Sequence, residues 1–310
     1  MRRQSMALSR RGFLGAAAAT AATAVVPVRL FGQDGKPNSN VNGVQIGVNT
    51  YSYHGKPSSA EQTLGYLLEN GLSAVELQAG PINGYIKRPG IKADDPAASD
   101  KWLEAAEDKA LLERCAALRK MYEDAGVKIH ISKFGNIGEE KMTDGEITFC
   151  FTVAKALGST IITRELDKNI AKRLGPLADK HKVYIGFHNH EQINAKTYDE
   201  PFMSHGEYLA INFDIGHYVA SNDDSVLEFI EKFNKRIVSL HLKDRKTKAN
   251  GKANLPFGEG DTPVTGALQL LRKNKYAIHA DIEQEYKIPE GSDSVKEVGK
   301  CVEYCRKALA

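Results

Sequence analysis

The sequence predicts a single (β/α)8 barrel over residues 43–310, preceded by a short targeting segment. From residue 44 onward, short β-type runs alternate with amphipathic helical runs, a pattern typical of a parallel sheet with crossover helices. Eight β-type runs can be counted, which is the number that closes this barrel. A chain of 310 residues with 42% apolar and 26% charged residues is long and apolar enough to form one such domain.

The predicted elements account for the whole length of the barrel segment. The eight strands are predicted at residues 44–51, 73–78, 127–132, 159–163, 183–188, 209–214, 237–242 and 277–284. Helical periodicity is clearest at 100–125, 225–233, 265–273 and 294–308. The stretch 79–98, which is rich in proline and glycine, predicts a long loop after the second strand, where barrel loops shape the substrate pocket. No segment remains for a second domain.

The N-terminus has the pattern of a twin-arginine export signal. Arg10 and Arg11 precede an alanine-rich apolar run that ends in an Ala-Thr-Ala cleavage signal. We therefore expect a signal peptide at residues 1–24 and a linker at 25–42. The apolar run is too short to span a bilayer stably, and no other stretch approaches the roughly 20 apolar residues that a span requires. The mature protein is thus expected in the periplasm or elsewhere outside the cytoplasm, delivered by the twin-arginine export machinery and without a membrane span.

The charge of the chain argues against a nucleic acid partner. The net charge is only +3, and four of the arginines, Arg2, Arg3, Arg10 and Arg11, lie inside the predicted signal. The sequence leaves open whether the chain forms a homo-oligomer.

The inward faces of the predicted strands are unusually polar. Alternate residues of a barrel strand face either the helices or the interior. In the eighth predicted strand, the apolar face leaves His279, Asp281 and Glu283 for the interior. A purely structural barrel would fill this space with branched aliphatic residues, so polar side chains near the C-terminal ends of the strands predict a ligand site there.

Four residues at the ends of the fifth to eighth predicted strands have the chemistry of metal ligands: His188, Asp214, His241 and Glu283. Taken singly, each is an ordinary buried rim residue. In a closed barrel, however, successive strand ends converge, and a mixed set of imidazoles and carboxylates suits one divalent ion such as Mn, Co, Zn, Fe or Mg. Such a set leaves coordination positions open for substrate oxygens.

The motifs around these residues resemble a known family. Asp214-x-Gly216-His217, His241-x-Lys243-Asp244, Gly258-x-Gly260-Asp261 and Ile282-Glu283 are similar to motifs of the xylose isomerase-like barrel superfamily. That superfamily includes sugar isomerases and epimerases, inosose and dehydroshikimate dehydratases, and the endonuclease IV type. The resemblance implies that Asp214, His241 and Glu283 are metal ligands and that His217 contacts the substrate.

The fifth predicted strand departs from the family pattern. The family places an acidic ligand there, whereas this chain has His188-Asn189-His190, so that the first ligand is either His188 or His190. Epimerisation of a carbon next to a carbonyl uses two carboxylates, one as base and one as acid, on opposite faces of that carbon. One of the pair is missing here. Glu283 alone, aided by a metal, still supports proton abstraction, isomerisation or elimination. Glu191 is a candidate second acid, although its strand parity argues against that role.

Several further residues are candidates for contact with substrate. Lys243 has the inward parity of His241 and is predicted to donate to a developing oxyanion, or alternatively to pair with Asp244 at the rim. Glu76, His130 and His190 are predicted, with His217, to bind sugar hydroxyls; for Glu76 and His130, internal hydrogen bonding is the alternative.

Taken together, these features predict a metal-dependent isomerase or epimerase whose partner is a small carbohydrate, a sugar or keto-sugar, with Glu283, His217 and Lys243 as the catalytic groups. A metal-dependent lyase that eliminates from a 3-keto-glycoside, or a dehydratase, is the closest alternative. An endonuclease-type hydrolase is disfavoured because the sequence shows neither ligands for several metals nor a basic groove. A sugar-binding barrel without catalysis would keep the polar interior and need no metal.

Overall fold

The computed structural model describes residues 35–310 and confirms the predicted barrel. Its strands are β1 (Asn40–Val41), β2 (Val44–Val48), β3 (Ala74–Gln78), β4 (Lys128–Lys133), β5 (Ile161–Glu165), β6 (Tyr184–His188), β7 (Leu209–Asp214), β8 (Ile237–Leu242) and β9 (His279–Ile282). Parallel ladders join β2 to β9 and then run in descending order to β3. A parallel bridge between Asn49 and Glu76 closes the ring at the mouth. The fifth to eighth predicted strands are thus β6 to β9.

The helices pack around this ring and cover the apolar outer faces of the strands. They are α1 (Ala60–Glu69), α2 (Ala79–Ile86), α3 (Ala98–Glu107), α4 (Lys109–Asp124), α5 (Asp144–Ala156), α6 (Ala171–His181), α7 (Ile215–Ser221), α8 (Val226–Phe233), α9 (Val264–Asn274) and α10 (Ser294–Leu309). In the described part of the chain, no helix is both long and apolar enough to cross a membrane.

Two local predictions about the second βα unit were wrong. The stretch 79–98, expected as a loop, begins with α2, because Pro81 lies in the first turn of that helix, where a missing N–H group is tolerated. The helix expected at 100–125 is two helices. It divides at Asp108, whose carboxylate accepts a hydrogen bond of 2.6 Å from the backbone N–H of Leu111 and so begins α4 anew.

The packed domain begins earlier than the predicted boundary at residue 43. Ser39 is fully buried, and its hydroxyl donates to the carbonyl of Ile46 at 2.6 Å. The two residues of β1 then pair antiparallel with β2. The predicted signal at 1–24 lies outside the described residues.

The floor of the barrel is a buried polar layer rather than an aliphatic one. His130 Nε2 lies 3.0 Å from an oxygen of Asp281, and the ring of His279 stacks on that of His130 at 4.1 Å. Gly47 makes room for this layer: a Cβ atom there would lie 2.1 Å from Asp281 Oδ1 and 3.1 Å from His130 Cε1. His130 therefore makes an internal hydrogen bond with Asp281, which was the alternative to substrate contact.

Substitution of Gly47 by alanine is expected to destabilise the fold by about 1–3 kcal/mol, because the added methyl group overlaps a close-packed charged layer. Urea unfolding of the full chain measures this change. Gly84→Ala is the matched control: a Cβ at this exposed position of α2 meets nothing within 4 Å, and alanine favours a helix, so this variant should be as stable as the parent or slightly more so. Equal stability of the two variants would contradict the close packing of the floor.

Candidate metal centre

The four predicted ligands come together at the C-terminal mouth of the barrel. His188 ends β6, Asp214 ends β7, His241 lies near the end of β8 and Glu283 follows β9. One potential ligand atom from each lies within 4.8 Å of those of the other three, and all four residues are buried. Because parallel strands end on the same face of the ring, ends that are far apart in sequence meet at one point.

The structure distinguishes the two histidines at the end of β6. His188 Nδ1 lies 2.8 Å from Asn212 Oδ1, and Asn212 in turn donates through Nδ2 to Ser239 Oγ at 2.6 Å. The proton of His188 therefore sits on Nδ1, and Nε2 keeps a free lone pair, as ligation requires. Burial, together with the cations of Lys133 and His241, lowers the pKa of His188 well below its ordinary value. His190 lies outside this quartet and is 56% exposed at the rim.

Asp214 offers an oxygen that the protein itself leaves without a hydrogen bond. Its Oδ1 accepts from the backbone N–H of His217 at 2.7 Å and so caps α7. Its Oδ2 is buried and accepts no hydrogen bond, although Lys243 Nζ lies 3.0 Å away. Burial raises the pKa of Asp214 to about 7 despite this neighbouring cation. A buried carboxylate oxygen that accepts no hydrogen bond, beside a free imidazole nitrogen, fits a bound divalent cation.

His241 is held between two carboxylates. Its Nε2 lies 2.7 Å from Glu76 Oε2, and its Nδ1 lies 3.2 Å from Glu283 Oε2. Burial opposes a charge on this ring, but Glu283 and Glu76 raise the pKa of His241 well above its ordinary value. Glu76 is fully buried, and its other oxygen accepts from Thr163 at 2.6 Å. Glu76 therefore makes the internal hydrogen bonds that were the alternative to substrate contact.

Lys243 is the main positive charge of the mouth. Its Nζ lies 3.0 Å from Asp214 Oδ2, 2.9 Å from Glu283 Oε2 and 2.7 Å from Glu285 Oε2. Burial opposes this charge, but the three carboxylates raise the pKa of Lys243 above its ordinary value. Asp244, the predicted alternative partner, instead accepts the backbone N–H groups of Gly258, Gly260 and Thr262.

His217 is restricted to one tautomer by its neighbours. Arg245 NH1 lies 2.7 Å from His217 Nδ1, and because a guanidinium only donates, Nδ1 must accept. Burial, with the cations of Lys243, His190 and Arg245, lowers the pKa of His217 to about 2, so the ring is neutral and carries its proton on Nε2. Lys243 Nζ, which also can only donate, lies 3.0 Å from Nε2, but the shorter contact with Arg245 decides which ring nitrogen accepts. His217 Nε2–H and the ammonium of Lys243 are thus two donors that lie side by side at the mouth.

Substitution of Arg245 by methionine is expected to reverse this tautomer, because Nδ1 loses its donor while Lys243 still faces Nε2. Long-range ¹H–¹⁵N NMR of histidine-labelled protein separates protonated from unprotonated ring nitrogens, and the His217→Gln variant assigns the signal. Arg236→Met is the control, since within the described residues the guanidinium of Arg236 donates to the carbonyls of Glu207 and Leu209 and contacts no histidine. An unchanged Nε2–H pattern in the Arg245→Met protein would contradict the role of the guanidinium.

The sequence did not single out Lys133 or Glu285. Lys133 Nζ lies 3.1 Å from Glu165 Oε1 at the mouth, and the residue is only 9% exposed. The register of β3 against β4 shifts between Val75 and Glu76. The side chains of β4 therefore do not alternate regularly between the interior and the helices along its whole length. Glu285 lies beyond the end of β9, where strand parity no longer applies.

A second group of histidines does not favour a cation. His188, His190 and His217 also bring ring nitrogens within 4.8 Å of one another. However, both nitrogens of His217 already face the cations of Arg245 and Lys243, and the one free nitrogen of His188 points into the quartet.

Fold and site together define this protein as a single (β/α)8 barrel with clustered imidazoles and carboxylates at its mouth. The chain belongs to the xylose isomerase-like TIM barrel family, whose model matches residues 66–305. The resemblance drawn from the sequence motifs is thereby confirmed. A search of curated proteins found no significant sequence match.

Solved structures share this fold at low sequence identity. D-psicose 3-epimerase with D-tagatose from Clostridium cellulolyticum H10 is 13% identical, with a TM-score of 0.61 over 86% of this chain and 99% of that one. The probable 3-DHS dehydratase from Bacillus anthracis is 13% identical, with a TM-score of 0.61 over 84% and 99%. An uncharacterised protein from Parabacteroides distasonis is 22% identical, with a TM-score of 0.56 over 86% and 99%.

Proposed function

We propose that this chain is a divalent-metal-dependent isomerase or epimerase that removes a proton next to the carbonyl of a sugar or keto-sugar. The observation that carries the proposal is the buried quartet, in which His188 uses only Nδ1 in a hydrogen bond and Asp214 Oδ2 accepts no hydrogen bond and is held only by its ion pair with Lys243. Relatives of the same fold named for epimerisation and for dehydration support this class of chemistry.

The proposed ligands are His188, Asp214, His241 and Glu283. When bound, the metal supplies a Lewis acid that polarises the carbonyl oxygen of the substrate. Glu76 holds Nε2 of His241 and so keeps Nδ1 of that ring turned towards the quartet.

Glu283 is the proposed base. Burial opposes its ionisation, but the cations of Lys243 and His241 hold the pKa of Glu283 well below its ordinary value, so the carboxylate is ionised as a base must be. Asn49 donates to its Oε1 at 2.7 Å and orients the carboxylate. His217 Nε2–H and Lys243 Nζ then donate to the oxygen on which negative charge develops, and His190 at the rim binds substrate hydroxyls.

A lyase is the second candidate, and the position of Glu191 favours it. Glu191 Oε1 lies 3.0 Å from Arg245 NH1, and its other oxygen pairs with Lys252, so this carboxylate does not face Glu283 as a second acid. Elimination needs one base and a leaving group, whereas epimerisation also needs a proton donor on the opposite face. Glu285, paired with Lys243, is the carboxylate nearest to that task.

The test is to measure the metal content of the purified protein and then to incubate it with a panel of sugars and 3-keto-glycosides in heavy water. Deuterium entering next to the carbonyl, with the substrate skeleton retained, is expected for an isomerase or epimerase and is read by NMR. Loss of the aglycone identifies a lyase instead. Absence of both reactions together with absence of bound metal overturns the catalytic proposal.

We further propose that the protein acts in the periplasm after twin-arginine export of the precursor. The pattern around Arg10 and Arg11 supports this. Fractionation of cells that express the full chain and an Arg10→Lys, Arg11→Lys variant tests it: export of the parent and cytoplasmic retention of the variant are expected, and equal distribution would overturn the proposal.

A further inference from the structure

Two cavities open at the mouth on either side of the segment 78–80. The smaller one, of about 290 Å³, is lined by Tyr51, His54, Tyr66 and Gln78 among others, and is called the Tyr51 cavity below. The larger one, of about 450 Å³, is lined by Lys133 and the loop that follows it. The end of β3 and the start of α2 therefore separate the two cavities.

The Tyr51 cavity is joined to the proposed base by short chains of hydrogen bonds. Gln78 Nε2 donates to Asn49 Oδ1 at 2.8 Å, and Asn49 donates in turn to Glu283 Oε1 at 2.7 Å. On the opposite wall, His54 Nε2 lies 3.0 Å from Oε1 of Gln284, the residue next to Glu283. The Gln78 wall of this cavity is therefore only two hydrogen bonds away from Glu283.

Tyr51 presents an aromatic face to solvent at this cavity. It is 53% exposed, the highest value among the exposed large hydrophobic residues of the described chain. Its backbone is held in place, since Asn49 Oδ1 accepts its N–H at 3.1 Å. Tyr66 is also fixed, because its hydroxyl donates to the carbonyl of Pro57 at 3.1 Å. An aromatic side chain has few rotatable bonds, so it binds a flat partner at a low cost in conformational entropy.

The lining indicates an uncharged ring that carries hydroxyl groups. Aromatic faces pack against the C–H face of a sugar or against another ring, while His54 and Gln78 offer hydrogen bonds to hydroxyls. Lys56, the lysine that lines the cavity, is paired with Asp293 at 3.3 Å, so the cavity does not favour an anion.

We infer that the Tyr51 cavity binds a second, uncharged ring linked to the sugar that reacts at Glu283, so that the substrate is a glycoside rather than a free monosaccharide. The inference rests on the proposed function in that it places the first ring at the metal centre. The second ring is a glycosyl or a phenolic group, which share a flat face and hydroxyls.

Calorimetric titration of the metal-loaded full chain tests the inference with three kinds of probe: monosaccharides, their disaccharides and their phenolic glycosides. A glycoside is expected to bind about tenfold more tightly than its parent monosaccharide, an advantage of the size that one aromatic contact provides. Tyr51→Ala should remove this advantage and leave monosaccharide affinity unchanged. Tyr184→Ala is the matched control, because Tyr184 is 38% exposed but begins β6, at the opposite end of the barrel.

Each outcome decides between the inference and the proposed function. Tighter binding of disaccharides or of phenolic glycosides through Tyr51 supports the inference and identifies the second ring. Deuterium exchange in monosaccharides without any gain from a second ring overturns the inference alone. Tyr51-dependent binding of glycosides without any reaction overturns the catalytic proposal alone. Failure of every sugar to bind overturns both.

Discussion

Substitution of Lys243 by methionine is expected to destabilise the metal-free protein by about 3–5 kcal/mol and to make its stability strongly dependent on added divalent metal. Lys243 Nζ lies within 3.0 Å of the carboxylates of Asp214, Glu283 and Glu285, so its removal leaves buried negative charge without its main partner. A metal held by the quartet would supply that charge again. Thermal unfolding with and without Mn²⁺ measures the effect, and the metal-induced rise in Tm should be larger in the variant than in the parent.

The control for this experiment is Lys246→Met. Lys246 pairs with Asp261 at 3.2 Å near the surface, and loss of such a pair costs at most about 1 kcal/mol. It should leave the response to metal unchanged. A Lys243→Met protein that is as stable as its parent and gains no more from Mn²⁺ would contradict the placement of a metal among these carboxylates.

Substitution of Glu283 by glutamine is expected to lower the rate of proton exchange next to the substrate carbonyl by a factor of about 10²–10⁴, because the base is lost while the shape is kept. The rate is measured in heavy water at saturating metal, which separates loss of the base from loss of metal affinity. Glu285→Gln is the control, since Glu285 contacts Lys243 but lies outside the quartet.

For the control we expect a loss of about tenfold or less if Glu285 only balances the charge of Lys243. A loss as large as that of Glu283→Gln would instead identify Glu285 as a second acid or base and would favour epimerisation. Full activity of the Glu283→Gln protein would remove Glu283 from the chemistry altogether.

The barrel and most of the quartet were predictable because their signals are local. Alternation of β-type and helical runs depends on side chains near in sequence, and strand ends of a closed parallel ring must meet on one face. Asp214, His241 and Glu283 needed only their positions at strand ends to be brought together. The prediction of a loop at 79–98 was wrong for a local reason. Pro81 lies in the first turn of α2, where a proline does not interrupt a helix.

The proposal of His188 rather than His190 as the ligand depends on contacts between strands. Asn212 of β7 fixes the proton of His188 on Nδ1, and Ser239 of β8 orients Asn212. These residues are 24 and 27 positions apart along the chain, and nothing in the local sequence relates them. The tautomer of His217, fixed by Arg245 from the loop after β8, is a further case.

The sequence by itself thus determined the barrel and the residue types at its mouth, because backbone periodicity and strand parity are short-range properties. The protonation states and ion pairs of those groups followed only from the tertiary structure. It showed that Glu76 binds Nε2 of His241, that Lys243 pairs with three carboxylates and that Lys133 lies at the mouth after a register shift. Protonation and pairing depend on burial and on distances of a few ångströms between residues from different strands, and these are set only when the ring closes.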